Sequence, residues 1–359
     1  MKIICLIDSL GPGGAQRQIV ELAKGFKKEG YNVEIVIYHN NLFYKDDLEN
    51  NNIKIKLIQS DSYLTRIINI RKYIRKVKPN VVLSFLQVPS FIATLSGFPN
   101  RNWKLIVGER NADPKILSSF KQKFYRYFHL FPDFIVGNSM ANIELVKKIN
   151  PFITPSKLKV IYNIVNSEDS IVKKENLNSK LRITVAGRYE YQKNYLGLIE
   201  ALHILPNNYK EDIKIECFGH IESNNSYLKE CFNKIDEYKL NNIICLNDAT
   251  KHIHLEYEKS DFIALFSFYE GFPNAIGEAM SLEKPVIVSN VSDIPNLIKD
   301  GINGFICDPM NIESIKNTLI KAINSTILLR NEMGRNNKLL VDKSFNKKVI
   351  IKKYLELFK

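Results

Sequence analysis

Paired cysteines and long apolar runs are both scarce in this sequence. Its five cysteines (Cys5, Cys217, Cys231, Cys245, Cys307) are odd in number, widely spaced and without a C-x-x-C pair. That argues against a disulfide framework and against a zinc site. Four of the five sit in strand-like apolar runs and are expected to be reduced core residues of a cytosolic protein. No apolar stretch approaches the ~18–20 residues that a membrane-spanning helix needs. The first eight residues, cut off by Asp8, are too short for a secretory leader and read as a buried strand. Long repeats and low-complexity tracts are also missing, which sets solenoids and disordered arrays aside.

What is there is globular. Of 359 residues, 45% are hydrophobic and 25% charged, and the length suits two domains better than one core. The charge is unevenly placed. Residues 1–165 carry 25 Lys and Arg against 12 Asp and Glu, whereas the remaining 194 carry 26 of each, so the whole net +13 belongs to the first half. Such an asymmetry points to an anionic partner for that half: nucleic acid, an anionic lipid surface or a phosphorylated substrate.

Short apolar runs alternate with stretches of helical period. The runs cover 2–8, 33–38, 53–58, 81–86, 105–107, 134–136 and 160–162, then 183–186, 213–218, 243–246, 262–266, 286–288 and 305–306. Strands apolar throughout and separated by helices indicate parallel sheets covered on both faces, an α/β fold. Between the two series, residues 163–180 are polar and turn-rich, as in a linker. The expected organisation is an N-terminal domain over 1–165, a C-terminal domain over 166–344, and an amphipathic helix over 345–359. Its apolar stripe is Val349, Ile350, Tyr354, Leu357 and Phe358, and it is expected to pack back on the first domain.

Three segments carry chemistry. The first strand leads into Asp8-Ser9-Leu10-Gly11-Pro12-Gly13-Gly14-Ala15, where glycines let backbone N–H groups approach a phosphate at a helix start. It is not G-x-G-x-x-G, and the second strand ends in Tyr38-His39 without the acid a dinucleotide ribose needs, so a dehydrogenase is a weak reading. The second series opens with Gly187-Arg188 leaving a strand and Lys193-Asn194 at a helix start. An arginine fork and a compact lysine charge would suit a diphosphate, although either cation alone is an ordinary loop residue. The third segment, Glu270-Gly271-Phe272-Pro273-Asn274-Ala275-Ile276-Gly277-Glu278, follows a fully apolar strand. Glu270 can accept from sugar hydroxyls, backbone N–H groups from Gly271 to Asn274 can meet phosphate, and Glu278 can hold a ribose diol.

Together these pieces resemble the family 4 glycosyltransferases of the GT-B fold. Gly13-Gly14-Ala15, Gly187-Arg188 with Lys193-Asn194, and the spaced pair Glu270 and Glu278 carry the likeness, with Val136-Gly137-Asn138-Ser139, Lys284-Pro285-Val286-Ile287 and Asp300-Gly301-Ile302-Asn303-Gly304-Phe305 in the expected order. The resemblance implies two Rossmann-like domains with parallel sheets facing a cleft. It implies a retaining, metal-independent hexosyl transfer from a nucleotide sugar, UDP before GDP, without a cofactor. By position, Arg188 and Lys193 would hold the donor diphosphate, Glu270 the sugar and Glu278 the ribose. Gly13 and Gly14 would face the phosphates, while Gly187, Gly271, Phe272, Pro273 and Asn274 would line the donor site. Two departures stand out. Glu283-Lys284 replaces a glycine common before the Pro-Val-Ile strand. Val107-Gly108-Glu109-Arg110-Asn111 replaces a stretch that often holds a sugar-contacting histidine, so Glu109 becomes a candidate catalytic or acceptor contact, with Asn111 beside it. A subgroup with Glu-Arg-Asn there is often made of hexosamine transferases of bacterial glycan assembly.

Two basic-aromatic stretches, 63–78 and 114–131, suit an anionic bilayer. With the resemblance, they imply a polyprenyl-diphosphate-linked or glycan acceptor, as in O-antigen assembly, and peripheral attachment to the cytoplasmic face of the inner membrane. The competing readings are a nucleotide-sugar 2-epimerase of similar architecture and a basic nucleic-acid- or membrane-binding protein. Nucleic acid is not the expected partner, because it leaves the charged residues of the neutral half unexplained.

Overall fold

The computed structural model describes residues 1–166 and 180–359, so most of the expected linker over 163–180 lies outside the described residues. The chain divides into two compact units, Met1–Ile164 with Lys347–Lys359, and Val165–Asn346.

The first unit holds seven parallel strands: β1 (Lys2–Leu6), β2 (Asn32–Ile37), β3 (Lys54–Leu57), β4 (Val81–Phe85), β5 (Lys104–Glu109), β6 (Phe134–Gly137) and β7 (Leu158–Val160). They lie in the order β3-β2-β1-β4-β5-β6-β7. The second unit holds six: β8 (Leu181–Ala186), β9 (Ile213–Phe218), β10 (Ile244–Asn247), β11 (Phe262–Leu265), β12 (Val286–Ser289) and β13 (Gly304–Cys307). Their order is β10-β9-β8-β11-β12-β13, again parallel. The α/β class with two parallel sheets is therefore as expected. In the middle of each sheet a strand is buried at every residue, β4 in the first and β11 in the second, because helices cover both faces.

Each sheet reverses its winding direction once, between β1 and β4 in the first unit and between β8 and β11 in the second. In open α/β sheets the crevice beyond the carboxyl ends of the strands at such a switch is where ligands bind. The turns after β1, β8 and β11 are those that the sequence singles out, whereas the turn after β4 carries no such motif.

One strand lies two residues earlier than expected. Residues 160–162 are apolar, but β7 ends at Val160, and Ile161 and Ile164 pack in the core, with Ile161 N still donating to the Gly137 carbonyl at 3.0 Å. The Gln18 side chain then takes over the backbone pairing, donating to the Ile164 carbonyl at 2.9 Å and accepting its N–H at 2.7 Å. Four cysteines lie in β1, β9, β10 and β13, Cys231 lies in the helix Ser226–Glu237, and all five are free. Burial pushes the Cys5 thiol up to about 12.

The helix Lys347–Glu356 belongs to the first unit. Ile350, Ile351, Tyr354, Leu357 and Phe358 are buried against the helix Gly14–Lys28 and its sheet. Gly25 permits the close crossing, since a Cβ there would lie 2.2 Å from Ile351 Cδ1. Tyr354 packs its ring on Phe26 and accepts a hydrogen bond from Arg110 Nη2 at 2.6 Å. Tyr354→Ala should cost about 3–5 kcal/mol through the cavity it leaves. A denaturant titration that shows no drop in midpoint would contradict this packing.

Candidate functional site

In the second unit, β8 and β11 are neighbours, so the turns after them meet at the carboxyl edge. Gly187 leaves β8 and its carbonyl accepts from the Tyr195 hydroxyl at 2.8 Å. A Cβ on Gly219 would lie 2.3 Å from that same carbonyl, so two glycine turns are stacked there. The short turn Tyr191–Lys193 follows, and Asn194 caps the helix Tyr195–His203. Asn194 takes a left-handed conformation (φ 55°) so that its side chain can accept from Gly197 N at 3.1 Å and donate to the Pro309 carbonyl at 3.0 Å. The two turns are tied by Phe268 N to the Gln192 carbonyl and by Gln192 Nε2 to the Tyr269 carbonyl, both at 2.9 Å.

This frame brings Lys193 and Glu270 together. Lys193 Nζ donates to Glu270 Oε1 at 2.7 Å, with the side chains 15% and 8% exposed. Two nearly buried charges held this closely form a compact polar centre whose desolvation is offset only by their pairing. Arg188 is placed differently from expectation. Its guanidinium is 68% exposed and paired with Glu190 at 2.9 Å, not buried as Lys193 is. It remains one residue from Gly187 at the same strand end. Phe272 and Pro273 are buried, Phe272 packing on Phe345, so their side chains pin the turn and leave its backbone to offer contacts. Asn274 and half-buried Glu278 both lie on the helix Asn274–Ser281 that follows.

Glu283, where the resemblance implies a glycine in many relatives, has φ 54°, a left-handed value. The departure thus keeps a glycine-like backbone and changes no charged group of the site.

In the first unit a cavity of about 580 Å³ opens beyond β1, β2, β4 and β5. Asp8, His39, Arg66, Gln87, Glu109, Arg110, Asn111, Lys121 and Tyr125 are among its lining residues. Gly13 and Gly14, expected beside a phosphate, form the start of the helix Gly14–Lys28, with Gly13 as its N-cap. Asp8 is occupied locally, accepting from Ser9 N at 2.7 Å and from Gln16 Nε2 at 3.0 Å. Leu86, at the turn after β4, has φ 71° and ψ 160°, a strained conformation for leucine at the cavity wall.

Glu109 lines this cavity with its carboxylate already engaged. It is 4% exposed, and both carboxylate oxygens are taken: Oε2 by Arg126 Nη2 at 2.8 Å, Oε1 by His129 Nε2 at 2.7 Å. A carboxylate so engaged clamps the segment 120–130. Burial alone would raise its pKa, but the charge of Arg126 and the hydrogen bond from His129 outweigh that and hold it down to about 2. Neighbouring Asn111 does line the cavity, its side-chain oxygen held by Asp113 N at 3.0 Å.

The basic stretch 63–78 is also partly spent inside the protein. Arg71 donates to the carbonyls of Leu95 and Ser96, and Arg75 to those of Ser96, Phe98 and Asn100. They cap the end of the helix Gln87–Ser96, where cations meet the negative end of the helix dipole. Lys72 and Lys76 stay exposed.

Sequence reasoning missed Arg66, Gln87 and Tyr125 as cavity residues. The one available signal was position, since Gln87 follows an apolar strand just as Glu270 does.

Residues 167–340 match the family model for glycosyl transferases group 1, and residues 12–169 that for Glycosyltransferase Family 4. An undecaprenol-linked-glycan α-1,4-N-acetyl-D-galactosaminyltransferase of Campylobacter jejuni is 26% identical over 326 residues, covering 86% of this chain and 85% of that protein. The Escherichia coli UDP-Gal:α-D-GlcNAc-diphosphoundecaprenol α-1,3-galactosyltransferase is 31% identical, over 54% of this chain and 52% of its own length. Among solved structures, Anabaena HepE in complex with UDP and glucose superposes with a TM-score of 0.85 at 18% identity, covering 99% of this chain and 98% of that one. A glycosyltransferase from Rickettsia africae gives 0.82 at 23% identity, covering 100% and 97%.

The Glu109 clamp generates a pH prediction. A carboxyl lowered from 4.5 to about 2 on folding stabilises the native state above about pH 4.5, and that contribution is lost as pH falls towards 2. Glu109→Gln should therefore cost about 3–5 kcal/mol at pH 7, because Arg126 loses its counter-charge. The gap to wild type should narrow steadily below pH 4.5. A constant gap across that range, in denaturant titrations, would show that the carboxylate charge is not what holds the segment.

Proposed function

Because the chain belongs to the family 4 glycosyltransferases, its two halves matching adjoining family models over 12–169 and 167–340, we propose that it moves a hexose or N-acetylhexosamine from a UDP-sugar to a polyprenyl-diphosphate-linked glycan, with retention of configuration, in bacterial surface polysaccharide assembly. The observation that carries the site assignment is the Lys193–Glu270 pair at the carboxyl edge of the second sheet. The relatives named above support the acceptor class, one acting on a diphospho-undecaprenol-linked sugar with UDP-Gal as donor.

In this reading a donor diphosphate reaches the edge beside Gly187. Arg188, whose exposed guanidinium exchanges Glu190 for the ligand, forks onto its oxygens, and Lys193 adds a second charge. The departing nucleotide diphosphate develops negative charge as the sugar becomes oxocarbenium-like, and both cations strengthen with that charge, which lowers the barrier. Glu270, already fixed by Lys193, accepts from sugar hydroxyls and sets the ring's orientation. Glu278 takes the ribose diol. In this reading the backbone of Gly271 and of the Phe272-Pro273-Asn274 turn meets phosphate and sugar. No cofactor or metal is needed, since the cations supply the charge that a metal would otherwise bring.

Peripheral attachment to an anionic cytoplasmic membrane face completes the proposal. Its support is the segment 114–131, where Phe120 is 83%, Phe124 44% and Tyr127 50% exposed beside Lys121 and Lys123. Apolar rings flanked by lysines match the interfacial zone of such a bilayer. No helix among the described residues is long and apolar enough to cross a membrane.

Arg188→Ala should lower kcat at least 100-fold with melting behaviour unchanged, and Lys193→Met should do the same with some loss of stability from the stranded Glu270. Transfer from UDP-sugars to a lipid-diphosphate glycan should survive excess EDTA. Near-normal turnover in both variants would refute the diphosphate assignment. Phe120→Ser with Phe124→Ser should cut co-sedimentation with anionic vesicles several-fold; undiminished sedimentation would exclude this face as the membrane contact.

A further inference from the structure

Exposed apolar side chains are ordinary when they are scattered singly over a surface. Those of the helix Ile327–Ser344 are ordered. Met333, Gly334, Asn337 and Val341 form the buried side of this helix. A Cβ on Gly334 would lie 1.9 Å from the Glu283 carbonyl oxygen, and Asn337 Nδ2 donates to the carbonyls of Lys284 at 2.9 Å and Asn303 at 2.7 Å. That close crossing and those two hydrogen bonds fix how the helix is rotated, and so which residues it turns outward.

The outward face is one seam of Leu328, Glu332, Arg335 and Leu339, all exposed. Spacings of four, three and four residues are those by which one helix meets another along a line. Leu328 is 77% and Leu339 67% exposed, with Ile327 at 55% beside them. Ile302, whose carbonyl accepts from Asn336 Nδ2 at 2.9 Å, adds a further exposed apolar side chain next to the helix.

The order along the seam identifies what fits it. It reads apolar, acid, base, apolar, so a twofold axis crossing the helix between Met333 and Gly334 exchanges Leu328 with Leu339 and Glu332 with Arg335. Two copies laid antiparallel set each leucine against a leucine and each glutamate against an arginine. The same operation sets Ile327 against half-buried Leu340. A parallel pair would instead oppose Glu332 to Glu332 and Arg335 to Arg335. Neither residue has an ion-pair partner among the described residues, so both charges are available. An anionic bilayer suits the face poorly, because a glutamate stands mid-seam and residues 166–359 carry 26 cations against 26 acids.

We propose that this face joins two copies of the chain, in an isologous antiparallel pairing of the helix Ile327–Ser344 about its midpoint. The leucines at both ends supply the attraction, and the crossed charges set direction and register. One helix face buries less than the ~800 Å² per partner of a standard interface, so the dimer is weak, with a dissociation constant on the order of tens of micromolar. The contact goes beyond the transferase reading and does not rest on it, since none of its residues belongs to the sites described above.

Sedimentation velocity on the full-length chain at low salt, from about 2 to 200 μM, should show reversible dimerisation. Leu328→Ser with Leu339→Ser should raise the dissociation constant at least tenfold and leave the melting temperature unchanged, both side chains being exposed already. Glu332→Arg and Arg335→Glu, each made alone, place like charges across the axis and should weaken the dimer to a similar degree. Mixed one to one, these two variants should recover it, since every crossed pair is then of opposite sign. The double variant Glu332→Arg/Arg335→Glu should recover it for the same reason. A wild type that stays monomeric throughout overturns the proposal, as does a dimer indifferent to the leucine substitutions. Dimerisation without rescue in the mixture overturns the antiparallel register. If wild type is monomeric and the leucine variant loses binding to vesicles of anionic phospholipid, the face belongs to a membrane and the proposal falls.

Discussion

Parallel strands packed on both faces leave a protein few places to put polar chemistry. Their faces must be apolar, so every charged group that serves a ligand is forced to the edge where strands end and helices begin. In this chain that constraint acts twice. It carries Lys193 and Glu270, far apart in sequence, into one hydrogen bond, because β8 and β11 are adjacent. In the other sheet it collects residues after β1, β2, β4 and β5 around one cavity. The glycine turns at Gly187 and Gly219 follow from the same requirement, since backbones at a crowded edge approach more closely than a Cβ allows.

The two buried ion pairs at these edges do different work. Lys193–Glu270 keeps some exposure, so its partners can exchange each other for a ligand's oxygens and hydroxyls at modest cost. Glu109 with Arg126 and His129 is sealed, its members at most 4% exposed. Breaking it would strand a guanidinium in a poor dielectric, which makes it a fixed joint. Exposure, rather than residue type, separates the two roles.

That difference explains what could be read from the sequence. The sheets were legible because apolar runs are long where both faces are covered, and all thirteen strands fall on or beside such runs. Where apolar residues past a strand end serve packing, as with Ile161 and Ile164, the strand boundary was displaced. Lys193, Glu270 and Glu278 were legible through spacing near strand ends. Spacing says nothing, however, about whether a charge is already engaged. Arg71 and Arg75 look like a membrane-facing stripe and instead close a helix end; Glu109 reads from its place as a sugar contact, and in the fold it clamps its neighbours. Arg66 sits unmarked within the basic stretch 63–78 and Gln87 has only its place after an apolar strand, so the folded cavity is what brings them together.

The first unit is also discontinuous in sequence, since it leaves at Ile164 and resumes at Lys347. Its core cluster includes Ile350, Ile351, Tyr354, Leu357 and Phe358 from the last residues of the chain. On the ribosome, all of Val165–Asn346 is therefore translated before that cluster can close, a delay of roughly ten to forty seconds at about 5–20 residues per second. During that interval the helix Gly14–Lys28 lacks the cover that Ile350, Ile351 and Tyr354 give it in the folded chain, although the strands beside it are already made.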